Sequence, residues 1–471
     1  GRDIDSQLTG KSVAGTMQIL LNNQSGDYNS FNGTGPLVGS LLPGRLAQVR
    51  MTGPGTASGT LFRGYVERII PKPSVKGLDT AVIECVGPFG WINQYEVQIG
   101  VLSSVDTGAA IGSVLDQTGW GTGAAFRDID TGKTTVRKVW FDRKRTLEAL
   151  RQIEEVEGGF LRESKSGQIV FENRHRRLTG TYQTSQATFT DAAAGTLYYT
   201  AVEQEDPLPY IFTEFIATIR PFSTGSTGTL WKLQDAGVLS PLIQPSGTVT
   251  LWAKFPNPTS TSNAIGVDSW ITPTATVDWN VTNDQGGTGA NLNGSCTIAV
   301  TKYANEMRMV FTNNSYNMGY VTYLQARGVP LLQGEPVQVS GSTTSTIFGT
   351  RVYPLPSELM PDANEGKDWA DWHAALYATS GARFRMGFIA NASTLALTQA
   401  AVREISDRVT VIGTRTGNLG IKRETYIENI KHIIDADRTH MVTFAMSDGT
   451  VLSDAWVMDV SELGIRTRLV Y

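Results

Sequence analysis

The chain has 471 residues, with 40 Lys+Arg against 44 Asp+Glu, 49 Gly, 2 Cys and 4 His. That length accommodates about three domains, the formal charge of −4 argues against a nucleic-acid grip built on clustered Lys and Arg, and no apolar run is long enough for a transmembrane helix. The 10 Trp, 15 Tyr and 17 Phe exclude a disordered chain, and the abundant glycine follows no fixed period, which excludes collagen. The opening Gly1-Arg2-Asp3-Ile4-Asp5 has neither the basic nor the apolar region of a signal peptide. Without a Met, it is expected to be a trimmed start or to follow the true one. Cys85 and Cys296 lie in apolar strand patterns and are expected to be two buried thiols rather than a disulfide.

Residues 1–95 present short strands in succession. In Thr16–Leu21, Met17, Ile19 and Leu21 share one face of a period-two strand, and Asn22–Asp27 supplies turn residues. Pro43-Gly44 turns the chain into Leu46–Met51, followed by strands over Leu61–Ile69 and Ala81–Val86. This spacing predicts an antiparallel barrel or sandwich. Residues 96–221 change character: Ile111, Val114 and Leu115 have helical spacing, and Thr146–Glu157 puts Leu147, Leu150 and Ile153 on one stripe before Gly158-Gly159 stops the helix. Phe160–Glu163 and Gln168–Glu172 flank a Lys165-Ser166-Gly167 turn, completing a small α+β domain. Residues 222–335, rich in Ser, Thr, Gly and Asn, carry strand patterns at Val249–Phe255, Cys296–Val300, Met307–Phe311 and Tyr320–Leu324, which predict an inserted β-sandwich. Residues 336–471 mix helices over Lys367–Ala378 and Leu395–Ile405 with strands at Arg408–Ile412, Glu424–Ile434, His440–Met446 and Trp456–Val460, and a terminal hairpin around Gly464. The fold class is mainly β with α+β parts.

No motif assembles a catalytic centre, a cofactor site or a metal site. His175, His373, His432 and His440 belong to no His-Glu-x-x-His or Gly-x-Ser-x-Gly pattern. His432 and His440 fall in consecutive strands where they can face each other, and are expected to be satisfied by neighbours rather than to hold a metal. Glu154 and Glu157 share a helix side, which suggests the paired carboxylates of a glycoside hydrolase, but they sit in the last turn, so a solvated helix end is the expectation. Asp128-Ile129-Asp130-Thr131-Gly132 resembles part of a calcium loop without its twelfth-position Glu, Val139 standing there, and is expected to be a turn. Trp369 and Trp372 at i, i+3 fit a core stripe better than a sugar platform. Gly35-Pro36 and Gly53-Pro54-Gly55-Thr56 lack the Lys-Ser/Thr pair of a phosphate loop. Arg174-His175-Arg176-Arg177 reads as a solvated strand end or a subunit contact rather than a phosphate contact. The expectation is a chain that is not an enzyme.

Taken in order, the motifs resemble a family. Ala14-Gly15-Thr16-Met17, Leu21-Asn22-Asn23, Gly26-Asp27-Tyr28, Pro43-Gly44-Arg45, Leu61–Val66 and Gly87-Pro88-Phe89-Gly90-Trp91 resemble the opening barrel of tailed-bacteriophage baseplate hub proteins, also called tail-associated or minor tail proteins. Thr146–Leu161 and Gly167–Arg174 resemble their second domain, Ser345–Arg351 the segment leading into their late barrel, and Tyr426–His432 one of its strands. The 222–335 insertion fits least well, and no cell-wall-degrading domain is visible in the chain. The resemblance implies a homotrimer in which each chain contributes two tail-tube-like β-barrels, here 1–95 and 336–471, with strands of 181–220 as candidates to join the second. Six barrels would then form a pseudo-sixfold ring at the virion tail tip. That ring joins tail tube and distal tail protein ring to a central fibre or spike, and surrounds the channel by which tape-measure protein and DNA leave, without specific DNA binding. Assembly in the host cytoplasm is implied as well. A slightly acidic chain is compatible with such a channel. The alternative is a carbohydrate- or receptor-binding tail protein acting through the β-sandwich, with a weak host glycan contact.

Overall fold

The computed structural model describes residues 11–449 apart from 55–57, 193–195, 207, 236–238, 256–263, 345–346, 356–358, 361, 378–380 and 415–420, together with 455–456 and 468–469. The first four strands, β1 (Thr16–Asn22), β2 (Leu46–Met51), β3 (Gly59–Lys72) and β4 (Thr80–Val86), form an antiparallel sheet in the order β1-β4-β3-β2. Alternation sets its faces: Met17, Ile19 and Leu21 are half-buried while Gln18 and Leu20 are exposed. The sheet is open rather than a closed barrel. Four strands are too few to close around their own side chains, and the inner face is filled by the 23–45 segment, whose Tyr28 and Leu41 pack on Val66, Ile83 and Cys85.

The α+β block follows with α1 (Pro88–Ile92), β5 (Glu96–Asp106), α2 (Thr107–Gln117), β6 (Arg127–Ile129), β7 (Thr135–Arg145), α3 (Thr146–Glu157), β8 (Phe160–Glu163) and β9 (Ile169–Glu172). The Asp106 carboxylate accepts the Ala109 N–H and caps α2, and Gly158 ends α3 at φ 65°, where a Cβ is disfavoured. Ile111, Val114, Leu150 and Ile153 meet in one core. Asp128 lies in β6, so the expected Asp128–Gly132 turn begins as a strand parallel to β9.

Next come β10 (Thr188–Thr190), β11 (Ala201–Glu205) and β12 (Glu214–Ile219), then the insertion: β13 (Phe222–Thr224), β14 (Gly228–Lys232), β15 (Leu242–Ile243), β16 (Thr248–Lys254), β17 (Ala264–Trp270), β18 (Trp279–Thr282), β19 (Cys296–Lys302), β20 (Glu306–Asn313) and β21 (Gly319–Gln333). β21 is a spine paired with β13, β14, β15, β17 and β18, while β16, β20 and β19 form a second sheet. Both sheets feed one core around Trp231, Trp279, Phe311 and Leu324, which also buries Cys296.

After the insertion, β22 (Val337–Ser342) and β23 (Val352–Leu355) flank β12, and α4 (Ala363–Tyr377) packs on that sheet through Trp369, Ala370 and Ala374. Gly341 permits the contact, since a Cβ there would lie 2.2 Å from the Ala370 backbone. Finally β24 (Arg383–Ile389), α5 (Thr394–Val402), β25 (Arg408–Gly413), β26 (Ile421–Ile434) and β27 (His440–Asp448) join β10 and β11 in a sheet ordered β10-β25-β26-β27-β24-β11. β28 (Ala455–Trp456) pairs in parallel with β29 (Arg468–Leu469). The rest of the expected Trp456–Val460 strand, the hairpin around Gly464, Gly55-Thr56, Ser345-Thr346 and Ala378 lie outside the described residues.

Two parts of the chain repeat one another. Numbered within each unit, β1–β4 and β24–β27 are both antiparallel and both ordered first-fourth-third-second. Strand lengths match as well: 7, 6, 14 and 7 residues in the first unit against 7, 6, 14 and 9 in the second. Each long third strand carries a register shift against its fourth, at Val66/Arg68 and at Ile427/Asn429, so Glu67 and Glu428 are the extra residues of equivalent bulges. The first residue of each second strand pairs with a Tyr, Leu46 with Tyr65 and Arg408 with Tyr426. The units differ at their edges. β10 and β11 flank the second unit, and Thr190 bridges to Tyr198 just before β11, whereas β1 and β2 end the first sheet among the described residues.

Candidate functional site

The α+β block holds both units through buried ionic clasps. Toward the first unit, Glu163 on β8 accepts the Gly15 N–H at 2.6 Å and the Phe89 N–H of α1. Gly15 and Gly87 leave room for this carboxylate, since a Cβ at Gly87 would lie 2.2 Å from it. Burial pushes Glu163 up to about 7, against the pull of the two N–H donors and Arg151. Beside it, Arg151 donates to Glu154 at 2.6 Å, to the Leu161 carbonyl and to the Ser12 carbonyl, and Glu154 also accepts the Leu161 N–H at 2.7 Å.

Toward the second unit, Arg177 forms a bidentate pair with Glu428 at 2.8 and 3.0 Å, its guanidinium held between the Phe160 and Tyr426 rings. The β26 bulge positions Glu428 at this pair. Ser406 connects the pair to a second one, accepting from Arg177 at 3.0 Å and donating to Glu172 at 2.5 Å, and Glu172 is paired with Arg162. Arg162 reaches on to Glu404, and Lys165 donates to the Ala401 carbonyl of α5.

Several residues singled out from the sequence sit in these clasps, in roles that differ from expectation. Glu154 and Glu157 are not a solvated helix end. Both are buried, and Glu157 accepts the Thr107 hydroxyl at 2.7 Å and the Lys133 and Thr134 N–H groups. A carboxylate among backbone donors replaces its water with fixed dipoles, which is why burial is tolerated. Arg174-His175-Arg176-Arg177 is not a solvated strand end: Arg177 is buried on Glu428, Arg174 donates to Thr134, and Arg176 pairs with Asp128 and Asp130 at 2.8 and 2.7 Å. The two calcium-loop aspartates are therefore occupied by Arg176. An open cleft of about 340 Å³ lies beside them, lined by Asp130, Lys133, Arg176, Thr181 and Tyr182 among others.

Trp369 is core and Trp372 is packed against the same cluster. His373 is buried among Phe215, Trp369, Trp372 and Tyr377, its Nδ1 2.9 Å from the Trp369 carbonyl, and burial holds it down to about 4. His432 and His440 do face each other, Nδ1 to Nε2 at 3.0 Å. Among the described residues no group of three or more His, Cys, Asp or Glu is placed to hold a metal ion, and no helix is long and apolar enough to cross a membrane. Sequence reasoning missed Glu163, Glu172 and Glu428, which look like ordinary strand acids. The repeated Tyr65-Val66-Glu67 and Tyr426-Ile427-Glu428, followed two residues later by Ile69 and Ile430 respectively, is a local signal that aligns the two units.

No family model matches this sequence, and no curated protein matches it. Similar solved structures include the 43 kDa tail protein of prophage MuSo2 from Shewanella oneidensis, 10% identical, with 93% of this chain and 90% of that one covered at a TM-score of 0.48. A tail protein from Neisseria meningitidis MC58 is 9% identical over 88% of this chain and 90% of that one, at a TM-score of 0.46. Prophage tail protein gp18 from Listeria monocytogenes EGD-e is 10% identical over 87% and 86%, at a TM-score of 0.36.

Proposed function

We propose that this chain is a non-catalytic structural protein of a bacteriophage tail tip, a baseplate hub whose homotrimer forms a pseudo-sixfold ring. The observation that carries the reading is the repeated four-stranded unit. Three chains with two such units each supply six similar modules, the number a sixfold tail tube requires, while the α+β block fixes the two units of one chain through buried ion pairs. The ordered motif series of the sequence supports the same reading independently. The ring joins tail tube and distal tail protein ring to a central fibre or spike and surrounds the exit channel for tape-measure protein and DNA. Mass photometry across a concentration series tests the trimer, and electron microscopy of the particles tests the six-lobed ring. A chain that stays monomeric at every concentration contradicts the proposal.

A second reading, a weak host glycan contact by the insertion, is favoured by one surface. Trp252 is partly exposed, lies nearly parallel to Tyr303 with centroids 6.3 Å apart, and has Arg308 across from it on β20, with Thr301 beyond Arg308 on β19. An aromatic face flanked by hydroxyl and guanidinium donors suits a sugar ring. A glycan array probed with the whole chain and with Trp252→Ala checks it: binding lost in the variant supports the reading, and no binding by the native chain removes it.

A further inference from the structure

We propose that the 23–45 segment, between β1 and β2, is the docking surface for the second four-stranded unit of another copy of this chain. The inference rests on the ring-forming reading above and names the surface on which the ring closes.

The chain carries its own template for this contact. Within one chain, the end of the β2–β3 hairpin at which β2 passes into β3 sits on the part of the second unit that joins its first two strands. Met51, the last residue of β2, packs against the cluster of Phe384, Phe444, Ala396 and Ala400. Gly59, the first residue of β3, comes so close to α5 that an added Cβ would lie 2.9 Å from the Ala401 carbonyl oxygen. Because the two units share strand order and pairing, both halves of this junction have counterparts. The counterpart of α5 is the 23–45 segment. Each joins the first strand of its unit to the second, and each covers the inner face of its own sheet, α5 through Ala396 and Ala400, the 23–45 segment through Tyr28 and Leu41. The counterpart of the Met51/Gly59 end is the end of β25 and start of β26, at Gly413 and Ile421.

Among the described residues of a single chain, only one of the two equivalent junctions is made. The 23–45 segment is a succession of turns, tied by Tyr28 N–H to the Asn23 side chain at 2.9 Å and by the Asn32 amide to the Gly26 carbonyl at 3.2 Å. It presents Phe31 at 91%, Val38 at 45% and Leu42 at 39% exposure. These are the apolar side chains that a partner seated on the segment would cover. Repeating the in-chain junction places the β25–β26 end of a second copy on it. The contact joins two different patches, so it is heterologous and is satisfied throughout only when the copies close a ring.

Two measurements on the full-length chain test this. Leu42→Cys and Lys422→Cys are introduced together and treated with a short bis-maleimide; the native Cys85 and Cys296 are both buried. The expected product is a covalent multimer on a denaturing gel, with each single variant giving monomer only. Separately, Phe31→Glu with Leu42→Glu is expected to weaken self-association about thirtyfold or more, as loss of a central apolar anchor does, with an unchanged circular-dichroism spectrum. An oligomer that tolerates both glutamates and links no copies through 42 and 422 overturns this interface while leaving the ring reading standing. A native chain that is monomeric at every concentration overturns both. Should the double Glu variant fail to fold, the cross-link alone decides.

Discussion

At the residue scale, the clasps make stability depend on pH in a direction that can be worked out. Glu163 is raised to about 7 from an ordinary 4.5, so the folded chain holds this proton more tightly than the unfolded one. Its contribution is present in full below pH 4.5 and is lost as pH rises through about 7, amounting to about 3 kcal/mol. In Glu163→Gln that slope disappears, leaving a constant offset from the lost acceptor. Denaturant unfolding of both chains at half-unit steps from pH 4.5 to 8 checks it, and parallel curves would refute the assignment. Arg177 makes a second case. Arg177→Ala strands the Glu428 carboxylate in a buried position and is expected to cost about 3–5 kcal/mol, whereas Arg177→Met with Glu428→Leu costs clearly less, because no buried charge is left over. A double variant as unstable as the sum of its singles would show the pair to be uncoupled. These residues were hard to read in advance for a physical reason. Glu154-Glu155-Val156-Glu157 looks solvated because charge density in sequence normally means water, and the donors that bury Glu157 come from residues 107, 133 and 134, which only the folded path brings near.

At the element scale, what local physics controls was legible and what pairing controls was not. β2 and α3 have the expected bounds, because alternation, helical spacing and a Gly158 stop are properties of contiguous residues. β21 extends well past the expected Tyr320–Leu324, to Gln333, because its length is set by the strands that pair with it. Gly328 and Pro330, which normally punctuate strands, lie beside the β17 register shifts, where a missing N–H is tolerated. The repeat of the two units leaves Tyr65-Val-Glu-Arg-Ile69 and Tyr426-Ile-Glu-Asn-Ile430 as its clearest trace, since strand order and bulge position constrain sequence far less than they constrain backbone. The β26–β27 hairpin carries its own pH response. Burial and then the nearby charge of His440 and Lys165 bring His432 down to about 3, and burial lowers His440. Both rings are neutral at pH 7, and the unfolded chain takes up protons near 6.5 that the folded hairpin resists. Stability is therefore lost as pH falls from 6.5 toward 3, opposite in sign to Glu163. Relative to the native chain, His432→Asn with His440→Asn is expected to flatten this acid limb, measured as the difference in melting temperature between pH 7 and pH 4. An acid limb unchanged by the double substitution would place the response elsewhere, with His373 the next group to replace.

At the scale of the whole molecule, the insertion is attached rather than integrated. Its first and last strands pair, Phe222 with Gln333, so the chain enters and leaves side by side. It has its own core around Trp279 and Phe311. Its described contacts with the α+β block include the pairs Lys138–Asp268, Arg143–Glu306 at 3.2 Å, Gln98–Glu306 at 2.7 Å and Asn305–Asp142 at 3.2 Å, with Trp140 edge-on to Phe222. An interface built mostly of polar pairs transmits little folding free energy from one body to the other. The two repeated units, by contrast, are joined to the block by buried carboxylates and guanidinium groups. Replacing 223–332 with a short Gly-Ser link should therefore leave the remainder folded, with its main unfolding transition lowered by no more than about 10 °C, and should leave self-association as in the full chain. The excised segment, expressed as 222–333, should unfold in one cooperative transition of its own. Calorimetry of the full chain would then resolve two transitions that match the separate pieces. A single transition in the full chain, together with loss of assembly in the deletion, would mean that the insertion is part of the body that forms the ring, and the ring would have to be rebuilt around it.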